Sequence, residues 1–216
     1  MRTLNFFDLL YLIEAFKCTV ALSAIALTIG GLLGLGIALM RISRHTPLRL
    51  IATGYISVVQ GIPLLGLLMF TFFGIPVFLD INVPALAAVG AAYSIWAASF
   101  FGEIWRAGIQ SIKKSQWEAA ACLGISRWQQ FRYVIAPQSM RVALPPTISF
   151  VVQMIKGTSL AAIVGFVEVT RAGQITSAAT FQPLLVYSVV GAIYFSVCFP
   201  LTIWSRKLED RIHGTH

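Results

Sequence analysis

The chain has 216 residues, 57% of them apolar, with a mean hydropathy of +0.81 and a formal net charge of +8. Charged residues make up only 11%, which excludes an ordinary water-soluble chain and indicates a single-domain, all-α integral membrane protein. The positive balance does not indicate nucleic-acid binding, because twelve of the sixteen Lys and Arg fall in three segments, 41–49, 103–141 and 205–216, a pattern that membrane topology accounts for.

Residues 1–13 read as a short amphipathic arm that places Phe6, Phe7, Leu9, Leu10 and Leu12 at an interface. A first span follows at about 16–40, long enough to cross a bilayer with tilt. Its Gly30 and Gly34 form G-x-x-x-G, widened by Gly31 and Gly36, which points to close helix packing more than to dimerisation. Lys17 near its outer end snorkels. Arg41, Arg44 and Arg49, with no acid among them, make the next loop cytoplasmic. The second span, about 51–73, contains Gln60-Gly61-Ile62-Pro63, and the loop from Gly74 to Pro84, charged only at Asp80, is external. The third span, about 85–101, ends where Glu103 and Arg106 pair at i,i+3. The loop 103–141 carries six basic and two acidic residues and is cytoplasmic.

A fourth span, about 145–166, starts at Pro145-Pro146, since proline is tolerated at a helix start. Glu168 and Arg171 mark its external side. The fifth span, about 184–204, ends in Ser205-Arg206-Lys207 and leaves the tail through His216 inside. The expectation is therefore five transmembrane helices, N-terminus outside and C-terminus cytoplasmic, with every loop obeying the positive-inside rule. No cleavable signal peptide and no internal repeat is expected. Cys18, Cys122 and Cys198 lack metal or redox spacing, and His45, His213 and His216 are scattered, so no metal site is expected.

Two stretches stand out from the apolar background. Residues 115–137 are polar and read as helix, glycine elbow, helix: Ser115 with Glu118 and Ser126 with Gln129 have capping-box spacing, Gly124 closes the first helix, and Pro137 stops the second. Ala119, Ala120 and Ala121 beside Trp117 and Leu123 suit a helix that docks in a groove. An amphipathic helix on the membrane surface fits the same spacing. The second stretch is Lys156-Gly157-Thr158-Ser159. The ten residues from Pro146 to Ile155 span about 15 Å of helix, so it falls near the bilayer midplane. A lysine there either lines a solute path at a broken helix or pairs with an acid of another span.

The loop resembles a known family. Glu118-Ala119-Ala120, three residues, Gly124, nine residues, then Val134-x-Ala136-Pro137 is similar to the EAA loop of permease subunits of bacterial ABC importers, with Val134 and Ala136 replacing Ile and Leu of the family pattern. The frame from Glu103-Ile-Trp-Arg-Ala-Gly-Ile-Gln-Ser-Ile to Gln116-Trp-Glu-Ala-Ala resembles the polar amino acid subgroup, of the histidine, glutamine and arginine type. The resemblance implies a multi-pass subunit of the bacterial inner membrane that moves a polar amino acid or similar small solute. It implies a second permease subunit (the same chain or a sister), two ATPase subunits, an external solute-binding protein and membrane lipid as partners, and no nucleic acid. Trp117, Glu118, Ala119, Ala120, Leu123 and Gly124 are then the ATPase-coupling residues of a cytoplasmic coupling helix. Gln60, Lys156, Thr158, Ser159 and Glu168 are the substrate-path residues, Glu168 at the external mouth, facing solute or binding protein or simply solvated.

Two positions depart from the family. Gly157 stands where Lys-Asp-Thr-Ser-Leu has Asp, and Gln60-Gly61-Ile62-Pro63 replaces Arg-Gly-Thr-Pro. Both departures remove groups that would grip a zwitterion, which implies either weak binding by this subunit or a less charged solute. The chain has no P-loop, so no cofactor is expected in it, and ATP and Mg belong to the partner ATPase. A self-sufficient carrier or channel would need coupling acids within the membrane and usually an internal repeat, neither of which is evident. A membrane enzyme would need a catalytic cluster, and the sequence shows none.

Overall fold

Asn5 opens the first helix. Its side chain accepts the Asp8 N–H at 3.3 Å while the Asp8 carboxylate takes the Asn5 N–H at 3.0 Å, a closed capping box. The computed structural model describes residues 3–213, and in it α1 (Phe6–Ile42) then runs 37 residues without a break. That is about 56 Å of helix against an apolar bilayer core of about 30 Å. The separate arm expected over 1–13 is therefore, from Phe6 onward, the first turns of the same helix. Neither Gly nor Pro interrupts the chain between Asn5 and Thr28.

The second span is bent. α2 (Thr46–Gly61) and the stretch containing α3 (Leu64–Met69), a π turn (Phe70–Gly74) and α4 (Ile75–Leu79) meet at 99°. Pro63 has no N–H to continue the ladder and holds Ile62 extended (φ −96, ψ 129), so the span expected over 51–73 is broken at Ile62-Pro63.

α5 (Ala85–Gln110) is the central helix, and α1 lies along it. The approach uses the expected glycines: a Cβ on Gly30 would sit 2.7 Å from Ala97 Cβ, and one on Gly34 would sit 2.7 Å from Phe101 Cβ. The G-x-x-x-G face thus serves packing within this chain. Around α5 the core gathers Leu22, Leu68, Tyr93, Trp96, Phe101 and Met154. Phe150 stacks on Phe100 with centroids 4.9 Å apart and meets Phe101 edge-on at 5.0 Å.

The remaining elements are α6 (Lys114–Cys122), α7 (Arg127–Gln129), a π turn (Gln130–Ile135), α8 (Ala136–Gly157), a 3-10 stretch (Thr158–Val164), α9 (Val169–Thr180) and α10 (Pro183–His213). Two proline expectations are corrected here. Pro137 does not stop its helix, because the Ala136 N–H reaches the Phe131 carbonyl across a widened turn, and the chain continues into α8. The same device precedes Pro76, where the Ile75 N–H reaches Phe70. A wide turn makes room for a ring that would otherwise strike the carbonyl of residue i−4. Nor do Pro145 and Pro146 start a helix: both lie inside α8, which forgoes two ladder bonds there, and the Ser205 hydroxyl of α10 donates to the Pro145 carbonyl at 2.9 Å.

Among the described residues four helices are long and apolar enough to cross a membrane, and up to five spans result if the bent pair counts as one. The described residues contain no strand. The three basic segments meet at one end of the bundle, where Arg41 lies 3.6 Å from Glu103 and Ser149 of α8 lies 2.9 Å from Ser205 of α10. His216 lies outside the described residues.

Candidate functional site

At that basic end, the segment after α5 turns sharply. Lys113 is extended (φ −55, ψ 142), so α6 begins at Lys114 and Ser115 falls inside the first turn. The capping box expected between Ser115 and Glu118 is therefore absent, and no side chain caps α6. Its other end is as expected: Leu123 closes the helix, Gly124 takes φ +67, and the Gly124 N–H donates to the Ala121 carbonyl at 3.1 Å. A Cβ at Gly124 would meet nothing within 4 Å, so the backbone and not the packing calls for glycine. Ser126 and Gln129 close the second capping box with bonds of 3.4 and 2.9 Å.

The faces of this elbow divide differently from expectation. Ala120 is 2% exposed and Trp117 is half-buried, and α6 packs on the chain's own π turn at Gln130–Ile135. Glu118, Ala119, Leu123 and Gly124 are exposed, Leu123 at 71%. Trp128 and Tyr133, which spacing alone did not single out, are also exposed, at 69% and 70%. Ala120 and Trp117 thus face inward, and the outward set is the surface available to another molecule. The Gln138 side-chain amide also donates to Gln116 Oε1 at 3.3 Å and ties the two arms of the elbow.

Beside the elbow, Glu103 is held by two arginines. Arg106 Nε donates to it at 3.0 Å and a second guanidinium nitrogen also reaches it; Arg41 of α1 stands 3.6 Å away and donates to Thr53 of α2. The cluster thus joins α1, α2 and α5. Arg106 was expected from i,i+3 spacing, whereas Arg41 has no local signal. Glu103 lies past the apolar stretch that ends at Phe101. The Arg106 hydrogen bond, then the charges of both guanidiniums, hold its carboxyl below the usual range against the opposing effect of burial.

The stretch expected near the midplane is continuous. α8 passes at Gly157 into the 3-10 stretch, which ends on Gly165 at φ +83, so the winding changes without an unwound segment. The Thr158 hydroxyl donates to the Ile155 carbonyl at 2.6 Å and that of Ser159 to Lys156 at 2.8 Å, so both bond back to their own helix. Gly157 is right-handed (φ −61, ψ −26), and a Cβ there would meet only Leu64 Cδ2 at 3.6 Å, so a larger residue has room. Lys156 is exposed and makes no ion pair among the described residues. It lines a cavity of about 460 Å³ between α8 and α10. Gln60 is elsewhere, its amide donating to the Ser99 carbonyl of α5 at 3.3 Å.

Glu168 is the clearest departure. It is fully buried instead of lying at an exposed rim. Its carboxylate caps α9 through the N–H groups of Thr170 and Arg171, both at 2.9 Å, and accepts the Tyr194 hydroxyl at 2.8 Å. Of the five residues expected along one path, only Lys156 faces the cavity. No group of three His, Cys, Asp or Glu suited to a metal occurs among the described residues.

Comparison with known proteins gives a consistent picture. A family profile described as binding-protein-dependent transport system inner membrane component matches residues 26–214. The chain is 35% identical over 201 residues to the probable amino-acid ABC transporter permease protein YckA of Bacillus subtilis, covering 93% of this chain and 88% of that protein. It is 34% identical over 202 residues to the glutamine transport system permease protein GlnP of Escherichia coli K12, covering 93% and 92%. Among solved structures, an amino acid ABC transporter with histidines superposes with a TM-score of 0.86 at 33% identity, over 97% of this chain and 100% of that one. The MetNI methionine ABC transporter shares the fold, with a TM-score of 0.77 at 15% identity, over 95% and 99%.

Proposed function

The chain belongs to the family of binding-protein-dependent transport system inner membrane components, and on that premise we propose that it is the permease subunit of an ATP-driven importer. Its cargo is a polar amino acid or a similar small solute, in keeping with the relatives that are permeases for amino acids and for glutamine. The observation that carries the coupling mechanism is the elbow: a short helix ended by left-handed Gly124, with Glu118, Ala119 and Leu123 turned outward at the basic end of the bundle.

Residues 1–216 then form one transmembrane domain, N-terminus outside and C-terminus cytoplasmic, with 103–141 as the cytoplasmic coupling loop. The basic segments gathered at the elbow's end support that orientation. Two permease subunits, identical or sisters, enclose the path, and each elbow sits in a cleft of one of two ATPase subunits that hold ATP and Mg. An external solute-binding protein delivers the cargo. Closure of the ATPase pair drives the elbows together. Because α6 packs on the π turn that leads into α8, displacement of α6 is passed to α8 as a rigid push.

The test is uptake and ATPase recruitment in Glu118→Lys and Gly124→Val. Both variants are expected to insert normally, yet to lose most ATP-coupled uptake. Normal uptake together with normal ATPase recruitment in both would overturn the reading.

A further inference from the structure

α8 carries two consecutive prolines, and its halves on either side of them are held by different means. Neither Pro145 nor Pro146 has an N–H, so the Arg141 and Val142 carbonyls lose their ladder donors and the helix is weakest there. The half beyond is fastened to α5. Trp105 Nε1 donates to the Thr147 hydroxyl at 3.1 Å, Phe150 stacks on Phe100, and the Tyr93 hydroxyl reaches the Gly157 carbonyl. The half before meets α5 through small groups: a Cβ on Gly108 would sit 2.9 Å from Ala143 Cβ and 3.1 Å from the Ser139 carbonyl. Its polar side chains bond on the elbow's side of the prolines, Ser139 to the Ala136 carbonyl at 3.0 Å, Gln138 to Val134 and Gln116.

One residue of another helix sits at the joint. Ser205 of α10 is buried, and its hydroxyl donates to the Pro145 carbonyl at 2.9 Å. With that proton committed, it accepts from the Ser149 hydroxyl, also at 2.9 Å. Ser205 therefore grips the proline turn and the turn after it. Farther along, the contact between α8 and α10 is apolar, made by Val152, Ile155 and Cys198.

We propose that Pro145-Pro146 is a hinge in α8 and that Ser205 is the positioning residue that sets its resting angle. The inference rests on the permease reading and adds the point at which the elbow's stroke is absorbed. The π turn loads the cytoplasmic half of α8, while the half fastened to α5 stays in place, so the push becomes a bend at the prolines. A grip made of hydroxyl bonds holds one angle yet is weak enough for closure of the ATPase pair to overcome.

The test reads two spin-label distances, in a chain whose Cys18 and Cys122 are replaced by Ser and Cys198 by Ala. Met140→Cys with Glu209→Cys spans α8 and α10 on the elbow's side of the joint. Gln153→Cys with Ser196→Cys spans them beyond it. Met140 lies about 7 Å of helix before the prolines, so a bend of about 20° moves it by about 3 Å. In the transporter assembled with its ATPase subunits, ATP is expected to shift the first distance by that amount and leave the second unchanged. Pro146→Ala regains a ladder bond at an exposed position, so its Tm is expected to hold or rise while the shift shrinks. In the chain alone, Ser205→Ala is expected to broaden the first distance distribution and Ser205→Thr to restore it.

Equal ATP-driven changes in both pairs would mean that α8 tilts as one rod, and overturn the proposal. So does a first distance that ATP leaves unchanged, a shift that survives Pro146→Ala, or a Ser205→Ala distribution no broader than the parent's. A chain that recruits no ATPase strikes the permease reading instead, and the distributions in the chain alone still decide the joint.

Discussion

The hydroxyl of Tyr93 on α5 donates to the carbonyl of Gly157 on α8 at 2.7 Å, at the residue where α8 gives way to the 3-10 stretch. Tyr93 is fully buried, so its ring fills the core while its hydroxyl satisfies a backbone group at the changeover. Tyr93→Phe keeps the ring and leaves that carbonyl without this donor. Thermal unfolding in detergent is expected to show a loss of about 1 kcal/mol. An unchanged Tm would mean the bond does not stabilise the changeover.

The α1–α5 contact supplies a paired prediction. Gly34→Ala forces a methyl to within 2.7 Å of Phe101 Cβ and 3.2 Å of the Ala98 carbonyl, whereas Gly36 on the same helix has nothing within 4 Å. Gly34→Ala is expected to destabilise by about 1–3 kcal/mol as the helices separate. Gly36→Ala is expected to be neutral or slightly stabilising. Equal Tm values for the two variants would contradict the packing role of the G-x-x-x-G face.

The contrast between those glycines shows what a sequence of this kind makes legible. The turn at Gly124 and the cap at Ser126 are local signals, readable because each depends on the residue's own backbone or its immediate neighbours; the G-x-x-x-G spacing of Gly30 and Gly34 marks a packing face, but not that Ala97 and Phe101 of α5 fill it. Pro137, Pro145 and Pro146 are not legible in this way. Whether Pro137 ends a helix depends on a widened turn just before it, and the kink at Pro63 redirects a span whose composition looks uniform. Glu168 differs from expectation for another reason: it is buried. The hydroxyl that donates to it belongs to Tyr194, 26 positions away, whereas the resemblance places it at an external mouth, facing solute, binding protein or solvent. The pairing of Arg41 with Glu103 is likewise invisible until α1 and α5 are packed.

Gly124 separates backbone strain from surface chemistry. With φ at +67 and open space around it, any β-carbon there is penalised by conformation alone. That penalty is about 1–2 kcal/mol for most residues and less for asparagine. Uptake by reconstituted transporter is expected to rank glycine first, Gly124→Asn next and Gly124→Val last. Full activity in Gly124→Val would show that the left-handed turn is dispensable.

Glu103 gives a pH-dependent expectation with a definite sign. Its carboxyl is held low, chiefly by the Arg106 hydrogen bond, so its contribution to stability is present above the unfolded value of about 4.3 and is lost as pH falls through the lower folded value. The side chain is 35% exposed, so solvent screening keeps the effect small. Between about pH 5 and pH 3, the Tm of the parent chain is expected to fall more steeply than that of Glu103→Gln. Parallel curves would remove the arginine cluster as the cause.

Glu168 offers the sharpest choice between structural and solute-contacting roles. As placed, the carboxylate ends one helix and fastens another: two N–H groups of α9 and the Tyr194 hydroxyl of α10 all converge on it, with no exposed surface left over. The adjoining Val169 N–H donates to Thr19 of α1 at 3.3 Å, so the same turn also leans on the first helix. Glu168→Ala removes the cap and leaves buried donors unpaired, a loss of about 2–3 kcal/mol in which Tm falls whatever the solute. Glu168→Gln keeps one acceptor and is expected to lie between that variant and the parent. Tyr194→Phe combined with Glu168→Ala should cost less than the sum of the two, since both delete the same bond. A residue that met the solute would behave oppositely, changing which amino acid competes for uptake while leaving Tm and the double-mutant sum untouched.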